Sequence, residues 1–367
     1  MKKPLDRITI KGFKSIRELD DFPLTSLNLL IGANGSGKTN FISAFKLLNQ
    51  IIDGNLQLFV GQQGGADTLL YFGRKKTEEI VIDLNFGNNG YKCLLVPASG
   101  DTLIFGEEWM RYHKKDQYPQ PYGAGLGGGQ RETNLLEVSR STPYTTMADH
   151  ILAAIRSWRI YHFHDTGADA KVKQRGDLND NEVLRGDASN LAAFLYLLRE
   201  TQKAHYQKIV STIRLVAPFF DDFNLRADPL NPEKIQLEWR EIGTDSYFNA
   251  HVLSDGTLRF ICLAALLLQP NLPSTILIDE PELGLHPYAI TVLASLLKSA
   301  SQDVQVIVST QSVPLVNQFN PEDIIVVDRK DAQSKFSRLG EKDLVGWLDD
   351  YGMGDLWEKN LLGGRPG

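Results

Sequence analysis

The chain has only two cysteines in 367 residues, Cys93 and Cys262, which do not make a disulfide framework. It has no apolar run approaching the ~18 residues that a membrane-spanning helix needs. Its start, Met1-Lys2-Lys3-Pro4, lacks the apolar core of a secretory signal. Positive charge is not in excess: 39 Lys and Arg against 45 Asp and Glu give a formal net charge of −6. That balance argues against a chain that coats itself in nucleic acid. There are no internal repeats and no sustained heptad pattern, so a long coiled coil is excluded. What remains is a chain with 42% apolar residues, ordinary for a globular core, and the expectation is a soluble cytoplasmic protein. Its length allows two or three domains, or one large α/β domain with insertions.

The most informative stretch is Gly32-Ala33-Asn34-Gly35-Ser36-Gly37-Lys38-Thr39. It follows an apolar run, Leu27-Asn28-Leu29-Leu30-Ile31, that reads as a buried strand. It precedes Phe41 to Leu48, whose apolar residues recur at helical spacing. Strand, glycine-rich loop and helix together make a phosphate cradle. The glycines let backbone N–H groups converge on a phosphate, and the helix start adds its positive end. Lys38 is placed to reach the β- and γ-phosphates, and the Thr39 hydroxyl to ligate Mg²⁺. The expected ligand is ATP with Mg²⁺, held by Gly32, Asn34, Gly35, Ser36, Gly37, Lys38, Thr39 and Asn40.

Two segments in the second half complete the pattern. Ser274 to Ile278 is an apolar strand ending in two consecutive acids, Asp279 and Glu280. Ligands of open α/β sheets sit at the carboxyl ends of strands. Asp279 there fits a Mg²⁺ ligand, and Glu280, one residue on, fits a group that polarises the attacking water. The stretch Leu253-Ser254-Asp255-Gly256-Thr257-Leu258 opens an apolar helix running to about Gln269, with Ser254 as N-cap and Asp255 in the first turn.

The order and spacing of these segments, with Ser254 lying 25 residues before Asp279, resemble those of ABC-type ATPases. The opening Arg7-Ile8-Thr9-Ile10-Lys11-Gly12-Phe13-Lys14-Ser15-Ile16 resembles that of the RecF, SMC and OLD group, as does Glu280-Pro281-Glu282-Leu283-Gly284-Leu285-His286-Pro287. Within that group the chain is most similar to compact bacterial AAA family ATPases without coiled coil or Toprim domain. The resemblance implies that Ser254 and Gly256 bind the γ-phosphate of ATP held by a second copy, so that a homodimer sandwiches two nucleotides. Asp255 stands where transporter ATPases carry the first glycine of Leu-Ser-Gly-Gly-Gln. Gln311, in Ser309-Thr310-Gln311-Ser312, stands where most relatives place a switch histidine; it can donate an amide hydrogen bond to the γ-phosphate but cannot carry charge.

The implied fold is α/β: an ABC-type P-loop head of mixed sheet and flanking helices, with an antiparallel β subdomain and an inserted helical lobe. The expected division is 1–145 for the first half of the head, 146–233 for the lobe, and 234–367 for the second half and tail. Glu79 to Leu84 and Tyr91 to Val96 read as strands of the antiparallel sheet, and the Gly/Pro-rich stretch from Tyr118 to Gly129 reads as a mobile loop. The Q-loop glutamine stays open among Gln57, Gln62 and Gln63. His286 reads as a turn cap. The segments Tyr161 to Asp165 and Leu356 to Asn360 look family-like but take no physical role from the sequence. Short basic clusters at Arg74-Lys75-Lys76, Lys114-Lys115 and 171–175 read as solvated faces, although a dimer could set copies of them against duplex DNA. The resemblance further implies an ATP-driven switch in bacterial antiviral defence with a separate effector such as a Toprim-like nuclease, too few residues following Gln311 to form one here. A RecF-like repair clamp is the alternative. A transporter subunit is disfavoured, and no membrane partner is expected.

Overall fold

The computed structural model describes residues 4–114, 116–117, 119–141, 144–340, 352–359 and 361–364. Lys115, Tyr118, Asn360 and the first three residues, which enter the expectations above, lie outside these.

Among the described residues the architecture rests on two six-stranded sheets. In the first, the order is Gln333–Arg338, Ile324–Lys330, Leu27–Ile31, Gln305–Thr310, Thr275–Asp279 and Trp158–Tyr161. Its pairings are parallel except at the Gln333–Arg338 edge. The continuous apolar runs follow from this position, because a parallel strand covered on both faces has no solvent side to alternate with. Leu27–Ile31 is buried at every residue. The second sheet is antiparallel throughout, in the order Ile16–Pro23, Arg7–Phe13, Ile80–Phe86, Asn89–Ala98, Thr102–Tyr112 and Tyr122–Gly127. Ile80–Phe86 alternates buried and half-buried residues, as a strand with one covered face should.

The core sheet separates two apolar clusters. On one face Leu30, Leu277, Ile307 and Val327 pack with the helices Lys38–Ile52 and Thr145–Arg156 and with the antiparallel sheet. Phe45 meets Trp158 edge-on at 5.3 Å between ring centres. On the other face Leu29, Ile276, Ile278 and Val308 pack with the helices Leu191–Thr201, Lys203–Val216, Asp255–Leu268 and Pro287–Ala300. The helix Asp255–Leu268 is buried without a break from Leu258 to Leu268, which explains why it is apolar all round. No helix among the described residues is long and apolar enough to cross a membrane.

Three features differ from the sequence expectation. The stretch expected as a mobile loop contains the edge strand Tyr122–Gly127, paired with Thr102–Tyr112 and anchored by buried Leu126. Ladder pairing overrides the poor strand propensity of its glycines. The segment 146–233 does not form a lobe with a core of its own. The helix Thr145–Arg156 packs on the phosphate-loop side, and Leu191–Thr201 and Lys203–Val216 share one core with the helix Asp255–Leu268. Inside the same segment, Trp158–Tyr161 is a strand of the core sheet, parallel to Thr275–Asp279.

Trp158 is 1% exposed and joins the sheet to the phosphate-loop helix through Phe45. Trp158→Ala is therefore expected to cost about 3–5 kcal/mol of folding stability, the usual range for removing a buried aromatic, measured by urea denaturation. A cost under about 1 kcal/mol would show that this strand is peripheral to the core.

Candidate nucleotide-binding site

Strand register builds the site. Asp279 pairs with Ser309, Ser309 with Leu30 and Thr310 with Ile31. The phosphate loop, the acid pair and Gln311 therefore leave the sheet side by side at its carboxyl edge, where ligands of such sheets bind.

The loop is braced from outside. Gly37 has φ 114°, and a Cβ there would lie 2.0 Å from Ser334 Oγ, so only glycine fits. Ser334 Oγ donates to Ser36 O at 2.5 Å and is 2.7 Å from Ser15 Oγ. Arg329 Nη1 donates to Gly35 O at 3.1 Å. Asn40, expected beside the nucleotide, donates its amide to Ser15 Oγ at 2.7 Å. The Ser36 hydroxyl is buried without a protein partner, an arrangement that suits a ligand oxygen. Lys38 is 5% exposed, and its Nζ donates to Gly32 O at 2.6 Å and Ala33 O at 3.1 Å. Burial lowers its pKa, while Glu280, Asp279 and Glu282 pull it back up.

Asp279 is the meeting point of the metal-type oxygens. Thr39 Oγ1 donates to its Oδ2 at 3.4 Å, and Ser309 Oγ donates to its Oδ1. This hard oxygen set fits Mg²⁺, which usually takes one or two protein ligands and completes its shell with phosphates and water. Among the described residues there is no group of three or more His, Cys, Asp or Glu that could hold a metal ion.

Glu280 sits just past the strand with φ 43°, a left-handed conformation that a non-glycine residue adopts at a cost of order 1–3 kcal/mol. Its N–H donates to Ser309 O at 2.8 Å, and its carboxylate accepts the Gln311 side-chain amide. Gln311 is held in turn by Glu282, whose Oε1 accepts the Gln311 N–H at 3.3 Å and the Thr310 hydroxyl. Burial raises the pKa of Glu282, and its other oxygen has no partner.

Ser254 and Gly256 stand at the start of the helix Asp255–Leu268, the first exposed and the second half-buried. The exposed Ser254 caps the helix Asp255–Leu268, its Oγ accepting the Thr257 N–H at 3.2 Å. A Cβ on Gly256 would fall 2.3 Å from Gly284 O, so the helix start is pressed against the loop that follows the acid pair. His286 caps the helix Pro287–Ala300, its Nδ1 accepting the Tyr288 N–H at 3.3 Å.

Several residues of the site take no role from the sequence. His164 Nε2 lies 2.7 Å from the Asp279 carbonyl, at the end of the strand that the sequence does not reveal. Arg259 donates to the carbonyls of Phe163 at 2.8 Å and His164 at 3.3 Å. Neighbouring His162 is held below the usual imidazole pKa by burial. The tail also reaches the loop, with Ala33 N–H donating to Gly364 O at 2.6 Å. Of the Q-loop candidates, Gln57 spends its amide on the carbonyls of Leu103 and Arg131, and Gln63 accepts from Lys14 at 3.4 Å. Gln62 ends the helix Leu56–Gln62.

Residues 27–317 match the family described as AAA domain, putative AbiEii toxin, Type IV TA system. The chain belongs to this family. It is an ABC-type AAA ATPase of the RecF, SMC and OLD group. It is 25% identical over 352 residues to the OLD nuclease of Thermus scotoductus (strain ATCC 700910 / SA-01), covering 89% of this chain and 63% of that protein. It is 49% identical over 45 residues to the DNA replication and repair protein RecF of Vibrio atlanticus (strain LGP32), 12% of each chain. The chain thus spans less than two thirds of the length of either relative. Two solved SMC head domains share the fold. One, bound to the C-winged helix domain of ScpA, gives a TM-score of 0.55 at 17% identity, covering 93% of this chain and 99% of that one. The other, bound to the C-terminal domain of ScpA derived from Pyrococcus furiosus, gives 0.54 at 16% identity, covering 95% and 99%.

For this family member Lys38 supplies the cation aimed at the loop. At a Mg-ATP concentration 100 times Kd, binding should stabilise the folded chain by about 2.7 kcal/mol and raise its melting temperature. Lys38→Ala is expected to abolish that rise. A mutant that melts as much higher with Mg-ATP as the wild type would refute a nucleotide site at this loop.

Proposed function

We propose that the chain is an ATP-binding and ATP-hydrolysing switch that closes as a homodimer around two ATP molecules and opens on hydrolysis. The observation that carries this reading is the division of the site. Lys38, Thr39, Asp279, Glu280 and Gln311 converge at one sheet edge, whereas Ser254 is exposed at the start of a different helix. Around that helix start and the adjoining loop, Val252, Leu283 and Tyr288 expose 63%, 49% and 52% of their surface. Exposed apolar groups beside a helix N-terminus suit a face that docks on another molecule's phosphates.

In the proposed reaction the glycine loop and Lys38 bind the phosphates, and Thr39 and Asp279 hold Mg²⁺. When bound, the ion supplies charge neutralisation at the phosphate oxygens. Glu280 orients a water whose oxygen attacks the γ-phosphorus, takes the water's proton, and the bond to the ADP oxygen breaks. The Gln311 amide holds the Glu280 carboxylate and Glu282 holds Gln311, so base and switch residue are joined in one hydrogen-bonded chain. Ser254 and Gly256 engage the γ-phosphate held by the other copy.

The output is a change in what the dimer grips. The role we propose for the dimer is in bacterial antiviral or DNA defence, with a separate effector chain such as a Toprim-like nuclease; likeness to the OLD nuclease supports the nuclease partner. A RecF-like clamp on duplex DNA is less well supported by the charge distribution. Arg74 pairs with Asp67 and Asp101, Lys171 with Asp187, and Arg175 with Asp228; buried Lys173 faces Asp255. Acids within the chain thus face the 171–175 cluster and Arg74, while among the described residues no ion pair involves Lys75 or Lys76.

Glu280→Gln keeps the shape and the hydrogen bonding while removing the base. Turnover is expected to fall by roughly 10² or more, in line with loss of a general base. In Mg-ATP this variant should also accumulate as a closed dimer by light scattering. Wild-type turnover would place the base elsewhere, and a monomer at all ATP concentrations would refute closure.

A further inference from the structure

Arg259 is 5% exposed, and among the described residues no carboxylate lies within ion-pair distance of it. Burial lowers its pKa while the nearby charges of Asp255 and Glu282 raise it, and a leucine would pack the same helix face without the cost of burying a charge. Its hydrogen bonds go to two successive carbonyls, Phe163 O at 2.8 Å and His164 O at 3.3 Å. Its Nη1 also lies against the loop after the acid pair, 3.1 Å from where a Gly284 Cβ would be. His164 passes the contact on, its Nε2 lying 2.7 Å from the carbonyl of Asp279. At the other end, Arg259 sits little more than one helical turn from Ser254, on a helix buried without a break from Leu258 onward.

We infer that Arg259 is a positioning residue that ties the Ser254 end of its helix to Asp279 through the backbone at 163–164 and the ring of His164. The inference rests on the dimer reading. When the second copy's ATP engages Ser254 and Gly256, a displacement of the helix start is transmitted to the carboxylate that holds Mg²⁺ in the same protomer. The two nucleotide sites of the dimer then report to each other, so that occupancy of one speeds hydrolysis at the other. A planar fork with several donors can hold two successive carbonyls at once, whereas a lysine ammonium on a flexible stem cannot hold that geometry.

The test uses the full chain with two variants, Arg259→Lys and His164→Ala, compared with His164→Gln, whose amide can restore the bond to the Asp279 carbonyl. The readouts are Mg-ATP affinity, kcat and KM as a function of ATP, the Hill coefficient, and dimer formation in the Glu280→Gln background. For Arg259→Lys and His164→Ala, affinity and KM are expected to stay within about threefold of wild type while kcat falls roughly tenfold or more. The Hill coefficient should drop toward 1, dimers should still form, and His164→Gln should recover part of the kcat. A merely structural residue would lower affinity and melting temperature together and would leave the Hill coefficient of the surviving fraction unchanged. Should Arg259→Lys fail to fold, His164→Ala decides alone, since it cuts the last link and leaves the buried cation in place. Wild-type kcat and cooperativity in a folded, dimerising His164→Ala would overturn the inference and leave the dimer reading intact. Failure of Glu280→Gln itself to dimerise would remove the dimer reading, and the inference with it.

Discussion

Parallel register between three buried strands is the constraint on which the site depends. With Asp279 opposite Ser309 and Thr310 opposite Ile31, the phosphate loop, the acid pair and Gln311 must emerge at one edge. A slip of one residue in any strand would turn its side chains to the opposite face of the sheet. Such a slip is prevented by the different cores on the two faces. Leu277 and Ile307 face the phosphate-loop helix, while Ile276, Ile278, Val306 and Val308 face the helix that Ser254 caps. Packing and chemistry are therefore fixed by the same pairing.

Around that edge the chain carries costs that a purely structural protein would avoid. Glu280 holds a left-handed backbone, Lys38 is drawn into the protein, and Glu282 is buried with one oxygen unpartnered. Each group alone would destabilise the fold by one to a few kcal/mol, an appreciable share of a total stability of about 5–15 kcal/mol. Strain and buried polar groups concentrated in one place are what a preorganised site requires. The braces on the loop, Ser334 on Ser36 and Arg329 on Gly35, come from the antiparallel edge of the same sheet.

Much of this was legible in the sequence because it is local. The loop between an apolar strand and an amphipathic helix, the apolar run ending in Asp279 and Glu280, and Ser254 at a helix start all declare themselves within about ten residues. The rest depends on contacts between distant segments. Trp158–Tyr161 is only four residues long and includes Arg159, too brief a pattern to read as a core strand, and its place is set by pairing with Thr275–Ile278. Arg259 reads as an ordinary helix residue until it is seen 96 residues away from its partner Phe163. Asn40 follows the phosphate loop directly and reads as a ligand, and the bond its amide gives to Ser15, folded back beside it, has no sign in the sequence. The Q-loop stays without an assigned glutamine, because among the described residues none of Gln57, Gln62 and Gln63 hydrogen-bonds to the acid pair. Such juxtapositions have no local signature.

The account turns on one claim, that a working site takes Lys38 from one copy and Ser254 from another. Mixing two variants tests it most directly, with Lys38→Ala disabling the phosphate loop and Ser254→Arg blocking the opposing face by bulk. Each should hydrolyse almost no ATP alone. Mixed, they should regain part of the activity, because one site in each heterodimer pairs an intact Lys38 with an intact Ser254. A mixture as inactive as its components, or Ser254→Arg turning over ATP alone at the wild-type rate, would contradict the composite site.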